Sequence, residues 1–239
     1  MNKPKIVIHR AETRGGADHG WLRTHHTFSF ANYYDPDRMG FGALRVINDD
    51  EIDGGLGFPT HPHQDMEIVT IPLAGSLAHQ DSMGSSSVIA VGDVQVMSAG
   101  TGVLHSEYNG SETEVGKFLQ IWIEPKEYHV EPRYMEAKIE ELLVANEFRI
   151  IVSPKGSDGL WIHQDAWLFL GSFDRNEMAR YVMQKQGNGL YVFVIAGGVT
   201  VADESLRLRD GMGIWDTDEV LIGVEAGSTI LLLEVPMEH

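Results

Sequence analysis

The chain has 239 residues and not one cysteine. That excludes disulfides, thiolate metal sites and a cysteine nucleophile. Basic residues are also scarce: 18 Lys and Arg stand against 35 Asp and Glu, for a formal net charge of −17 with neutral histidines. A surface of that sign repels phosphate backbones and anionic lipid, so neither nucleic acid nor membrane is an expected partner. No apolar run approaches the roughly 18 residues of a membrane span. The start, Met1 to Arg10, has no signal-peptide core. The expectation is a soluble cytoplasmic protein. The sequence also lacks a G-x-S-x-G elbow, a G-x-x-x-x-G-K loop and a strand-linked G-x-G-x-x-G. Nothing therefore points to a serine triad or a phosphate cradle.

What is present is strand. Hydrophobic residues make up 43% and charged residues 22%, an ordinary globular balance. Glu67–Leu73, Ser87–Val91, Val94–Met97 and Phe118–Ile123 are β-branched or alternating runs that stop at Gly, Asp or Pro. Short strands at this spacing with glycine turns indicate an all-β barrel or sandwich. The character changes around 125–150, where Glu136–Leu143 suits a short helical turn or a linker. Beyond it the chain is β again, through Leu190–Ile195, Val199–Ala202, Leu206–Leu208, Gly211–Trp215 and Ser228–Val235, with a turn expected at Asp203-Glu204. A weak repeat links the halves. Leu73-Ala74-Gly75 followed by Gly92-Asp93 is echoed by Ile195-Ala196-Gly197 followed by Asp210-Gly211. We expect two related barrels, divided as 1–143 and 144–239.

The chemistry lies in two short runs. Phe58-Pro59-Thr60-His61-Pro62-His63 holds an H-x-H pair, and Val103-Leu104-His105-Ser106-Glu107 holds an H-x-E pair. A strand puts residues i and i+2 on one face, so each pair can aim both side chains at one point. Imidazole suits Fe, Ni, Cu, Zn and Co, and a carboxylate adds affinity for Fe(II) and Mn(II). Three His and one Glu leave open positions on a six-coordinate ion, which a closed structural zinc site does not. Glu67, four residues after His63, shares its parity and rivals Glu107. Asp65 shares it too but is expected near the barrel mouth. Among the 11 histidines, His25, His26, His79 and His163 read as structural, with His79 beside a hairpin turn. Trp161, Trp167 and Trp215 read as core. The second half repeats neither pair, so only the first barrel is expected to hold metal.

The run from Gly57 to Glu107 resembles the two cupin motifs: Gly57, His61-x-His63, Glu67 and Gly75, then Gly92, Gly100, His105 and Asn109. More closely, the chain resembles the pirin family. The resembling stretches are His26–Phe30, Met39–Asp50, His61-Pro62-His63 and Ser98–Glu107. A departure is Gln64, where many family members carry Arg or Lys. The resemblance implies a bicupin monomer of two tandem double-stranded β-helix barrels, the second degenerate. It implies one mononuclear divalent metal held by His61, His63, His105 and Glu107, with Glu67 demoted. Fe(II) is the expected ion, and Zn, Co, Ni, Mn and Cu are alternatives. Bacterial pirins are similar to quercetin 2,3-dioxygenases, which implies a flavonoid-like substrate, O2 as co-substrate and Glu107 as the proton acceptor. The alternative that the family offers is an iron-binding redox sensor acting through protein partners.

Overall fold

The structure is a computed structural model and describes residues 3–141, 143–154 and 158–238. It is an all-β bicupin. Each barrel pairs a seven-stranded sheet with a four-stranded one. In the first barrel the large sheet runs Arg133–Lys138, Asp93–Ser98, Glu67–Ala74, Gly116–Ile123, Leu44–Ile52, Leu22–His26, Gly15–Asp18. Its small sheet runs Gly57–His63, Val103–Asn109, Ser76–Asp81, Ser86–Ala90. In the second barrel the large sheet holds Lys5–His9, Gly211–Trp215, Asn188–Ala196, Ser228–Pro236, Trp167–Phe173, Phe148–Pro154 and Leu160–Ile162, and the small sheet Glu177–Val182, Glu219–Val224, Gly198–Val201 and Glu204–Arg207.

The strand alternation explains the assembly. On Gly116–Ile123, Leu119, Ile121 and Ile123 point one way into a core shared with Leu231, Leu233 and Val235 of the second barrel. Gln120 and Trp122 point the other way, into their own barrel. The two large sheets thus pack face to face, and their central strands are apolar on at least one whole face. Complete burial of each such side chain contributes about 1.5–3 kcal/mol, so the shared core is a main source of stability.

The barrel interiors differ. Val192, Val194, Val201, Leu206, Met212, Ile222 and Leu232 fill the second with hydrocarbon. The first keeps polar side chains inside and a cavity of about 520 Å³. This is why the repeat predicts a scaffold in one half and a site in the other.

Two local differences from the sequence expectation have simple causes. The turn expected at Asp203-Glu204 sits one residue earlier. Ala202 and Asp203 take φ of 50° and 66°, and Val201 pairs with Glu204, the two-residue hairpin with left-handed centre that matches strand twist. The stretch from Glu136 is strand as far as Lys138, followed by a 3-10 turn at Ile139–Glu141; Leu142 lies outside the described residues. The division at 143/144 stays a proposal. Strands from Gly15 to Lys138 build the first barrel and those from Phe148 onward the second, but Lys5–His9 pairs with Gly211–Trp215. The N-terminal strand therefore belongs in space to the second barrel, a long-range pairing that local pattern does not encode.

Candidate metal centre

Gly57–His63 and Val103–Asn109 are antiparallel neighbours, with His105 opposite His61 and Val103 opposite His63. The register then slips, so that Glu107 faces Phe58. The extra residue lies on the strand that carries Pro59, which has no N–H for the ladder. The result gathers His61, His63 and His105, with one potential ligand atom from each lying within 4.8 Å of the others. Ring centroids are 4.4–4.9 Å apart.

The nitrogens are suited to a metal. Nε2 of His61 and Nε2 of His105 are 2.9 Å apart. That matches adjacent ligands on one ion with bonds of about 2.0–2.1 Å. His61 Nδ1 lies 2.8 Å from the Pro59 carbonyl oxygen. That oxygen only accepts, so the proton sits on Nδ1 and Nε2 offers its lone pair. Burial, then the neighbouring His61, push His63 down to about 4. Burial, then His61 and His63, push His105 down to about 3. Both are therefore neutral near pH 7, the form that ligates. His63 meets the edge of Trp122 at 4.9 Å.

Glu107 stands slightly apart. It groups with His105 and His79, not with His61 and His63. Gln120 Nε2 donates to its Oε2 at 2.8 Å, and Oε1 is buried with no partner among the described residues. Burial pushes its carboxyl up to about 7, an effect that the Gln120 bond opposes and Asp50 reinforces. The free Oε1 beside the imidazoles fits a metal or a substrate proton.

Glu67 does not belong to the cluster. Asp65 takes φ of 48°, which ends the extended run, and Glu67 opens a strand of the other sheet. The parity argument that made it a rival fails at that turn. Glu67 instead accepts from Ser98 Oγ at 2.7 Å and lies 4.0 Å from the Arg133 guanidinium, which stacks 3.6 Å over Trp161 of the second barrel. Asp65 accepts from the backbone N–H of His129.

The cavity extends from the imidazoles between the sheets. Leu22, Phe30, Phe58, Ile68 and Trp122 give it apolar walls, and His26, Asn48, Asp50 and Gln120 add polar ones. Sequence reasoning missed most of these. Asn48 and Asp50 lie in the resembling stretch Met39–Asp50 but were given no role there, and Gln120 sits in a strand without a motif, where its parity with Trp122 was the available signal. His26, read as structural, does hydrogen-bond Asn48 at 2.8 Å and also lines the cavity. His25 is exposed. His79, read as a hairpin residue, is buried 5.3 Å from the His105 ring. His163 lies in the second half, against Trp161.

Comparison with known proteins agrees with this architecture. Residues 7–123 match the family described as Pirin, and residues 150–235 match the quercetinase C-terminal cupin domain. A protein of Escherichia coli strain K12 named quercetin 2,3-dioxygenase is 44% identical, over 97% of this chain and 99% of that one. A pirin-like protein of Caulobacter vibrioides is 42% identical, over 92% and 95%. The crystal structure of YhhW from E. coli superposes with a TM-score of 0.92 at 43% identity, covering 98% of this chain and 100% of that chain. The bacterial pirin YhhW in complex with nickel(II) gives 0.91 at 42%, covering 97% and 99%.

Proposed function

The chain belongs to the pirin family, and on that premise we propose that it is a metal-dependent dioxygenase opening a flavonol such as quercetin with O2 and releasing carbon monoxide. The observation that carries this is the cavity of about 520 Å³ with three imidazoles at one end and aromatic walls. It suits a flat, hydroxylated aromatic molecule presenting one oxygen to the site. The relatives named for quercetin cleavage support the substrate class.

His61, His63 and His105 would hold the ion, with Glu107 as the fourth ligand. We propose Fe(II), and the nickel complex of the E. coli relative shows that its fold accepts another divalent ion. When bound, the ion supplies a Lewis acid that favours the ionised substrate hydroxyl and a template for O2. The chain supplies the rest. Glu107 would take the proton of the flavonol 3-hydroxyl. Gln120 keeps Oε2 in place. Phe58 and Trp122 flank the histidines and keep water from the reacting face.

The test is incubation of Fe(II)-loaded protein with quercetin, with and without O2. Carbon monoxide should form in proportion to flavonol consumed, only when O2 is present. Fully metallated protein that yields none overturns the substrate and the reaction.

A further inference from the structure

The interior face of the first barrel's large sheet carries polar side chains that the proposed chemistry does not use. Cross-strand pairing sets His26 opposite Asn48, Asn48 opposite Gln120, and Gln120 opposite Thr70. Directly paired residues share a face, so the four form one polar row across the sheet. Half of the row serves Glu107: Thr70 Oγ1 donates to Gln120 Oε1 at 3.1 Å, and Gln120 Nε2 donates to Glu107. The other half, His26 and Asn48, does not. Asp50 lies two residues after Asn48 and joins it on that face. His26, Asn48 and Asp50 all line the cavity and are only 3%, 5% and 4% exposed. The interior of the second barrel is hydrocarbon. Polar groups buried in such a place are costly unless something bonds to them.

This wall has bonding capacity to spare. His26 Nδ1 is 2.8 Å from Asn48 Oδ1. An amide oxygen only accepts, so the proton sits on Nδ1 and Nε2 keeps its lone pair. The amide N–H groups of Asn48 remain as donors. No cation pairs with Asp50 among the described residues, and burial pushes its carboxyl up to about 7. Thr24, directly opposite Asp50, has a buried Oγ1 with no hydrogen-bond partner among the described residues. Ring-nitrogen and carboxyl acceptors thus stand next to amide donors. That set matches a hydroxyl, which both donates and accepts. The strand is also clamped from behind at this point. Asp49, between Asn48 and Asp50, faces the other way and takes Arg14 at 3.2 Å and Arg209 of the second barrel at 2.8 Å. Side chains held on a rigid strand make a precise recognition surface.

The wall is set apart from the imidazoles. His61, His63 and His105 belong to the small sheet, whereas His26, Asn48 and Asp50 belong to the large one. Facing sheets lie roughly 10 Å apart, a span that a multi-ring aromatic molecule bridges. We propose that His26, Asn48 and Asp50 form a second recognition subsite, which takes a phenolic hydroxyl on the part of the substrate remote from the oxygen presented to the imidazoles. The site therefore selects polyhydroxylated aromatics over those with a single hydroxyl. This rests on the reading of the cavity as a flavonol site and specifies which flavonols it prefers.

The test is binding without turnover. Ni(II)-loaded full chain is titrated calorimetrically, without O2, with quercetin and with 3-hydroxyflavone, which keeps the 3-hydroxyl and lacks the others. Wild type should bind quercetin about 10–100-fold more tightly, the effect of hydrogen bonds to buried polar groups. That ratio should fall toward one in Asp50→Leu and in Asn48→Leu, which keep side-chain volume and remove the polar atoms. The ratio reads the subsite, because a general disturbance of the barrel weakens both ligands together. A wild-type ratio near one overturns the subsite and leaves the carbon monoxide test of the reaction untouched. A wild-type preference that survives in both folded variants also overturns it. If Asp50→Leu does not fold, an unchanged ratio in Asn48→Leu is enough to do so, and the wild-type ratio needs no variant. Wild type that binds neither compound overturns the subsite and the flavonol reading together.

Discussion

Replacing Glu67 by Gln separates the metal cluster, where this carboxylate was expected as a rival ligand, from the place where the fold puts it. In the fold it lies between the barrels, under Arg133 and beside Ser98. Burial pushes it up to about 7 from 4.5, although Ser98 and Arg133 both oppose that rise. The sign follows from linkage. Below pH 4.5 the carboxyl is protonated in both folded and unfolded chains, and its contribution is fully present. Between 4.5 and 7 the unfolded chain ionises while the folded one resists, so stability is lost with rising pH. Above 7 the loss is complete. At about 1.4 kcal/mol per pKa unit, the 2.5-unit gap corresponds to about 3 kcal/mol. Glu67→Gln is nearly isosteric and does not titrate. Denaturant unfolding of metal-free wild type and Glu67→Gln should therefore show wild type losing about 3 kcal/mol relative to the variant between pH 4.5 and 8. The comparison is needed because burial also pushes Asp50 and Glu107 up to about 7, and they cancel between the two proteins. Metal content should be equal in both. A stability difference that is flat with pH refutes the electrostatic argument, and loss of metal from the variant refutes the placement of Glu67.

The ligand set and the shared core offer further checks. The double substitution His61→Ala and His105→Ala should abolish metal retention while leaving the far-ultraviolet circular dichroism of a β protein intact. Elemental analysis of protein purified without an affinity tag reads the first and the spectrum the second. Leu119→Ala should cost about 2–5 kcal/mol in denaturant unfolding, because Leu119 is completely buried between the large sheets and leaves a cavity there.

Several features were legible before folding. The strands around Glu67–Ala74, Gly116–Ile123 and Ser228–Pro236 announce themselves through β-branched, apolar runs that end at Gly or Pro, because local propensity and burial agree there. The H-x-H and H-x-E spacings mark the candidate ligands because strand period puts i and i+2 together. What fails is inference across a turn: Asp65, with its left-handed backbone, resets the parity between His63 and Glu67. Inference across distance also fails, as the strand Lys5–His9 shows by pairing some 200 residues downstream.

By itself the sequence determined the class of fold, the weak duplication, and which short runs carry metal-binding chemistry, since all three are matters of residue type and local period. Only the tertiary structure decided which interior stayed hollow, which glutamate stands beside the imidazoles, and which polar side chains face them across the cavity. Those depend on which faces of distant strands meet, which no local spacing records.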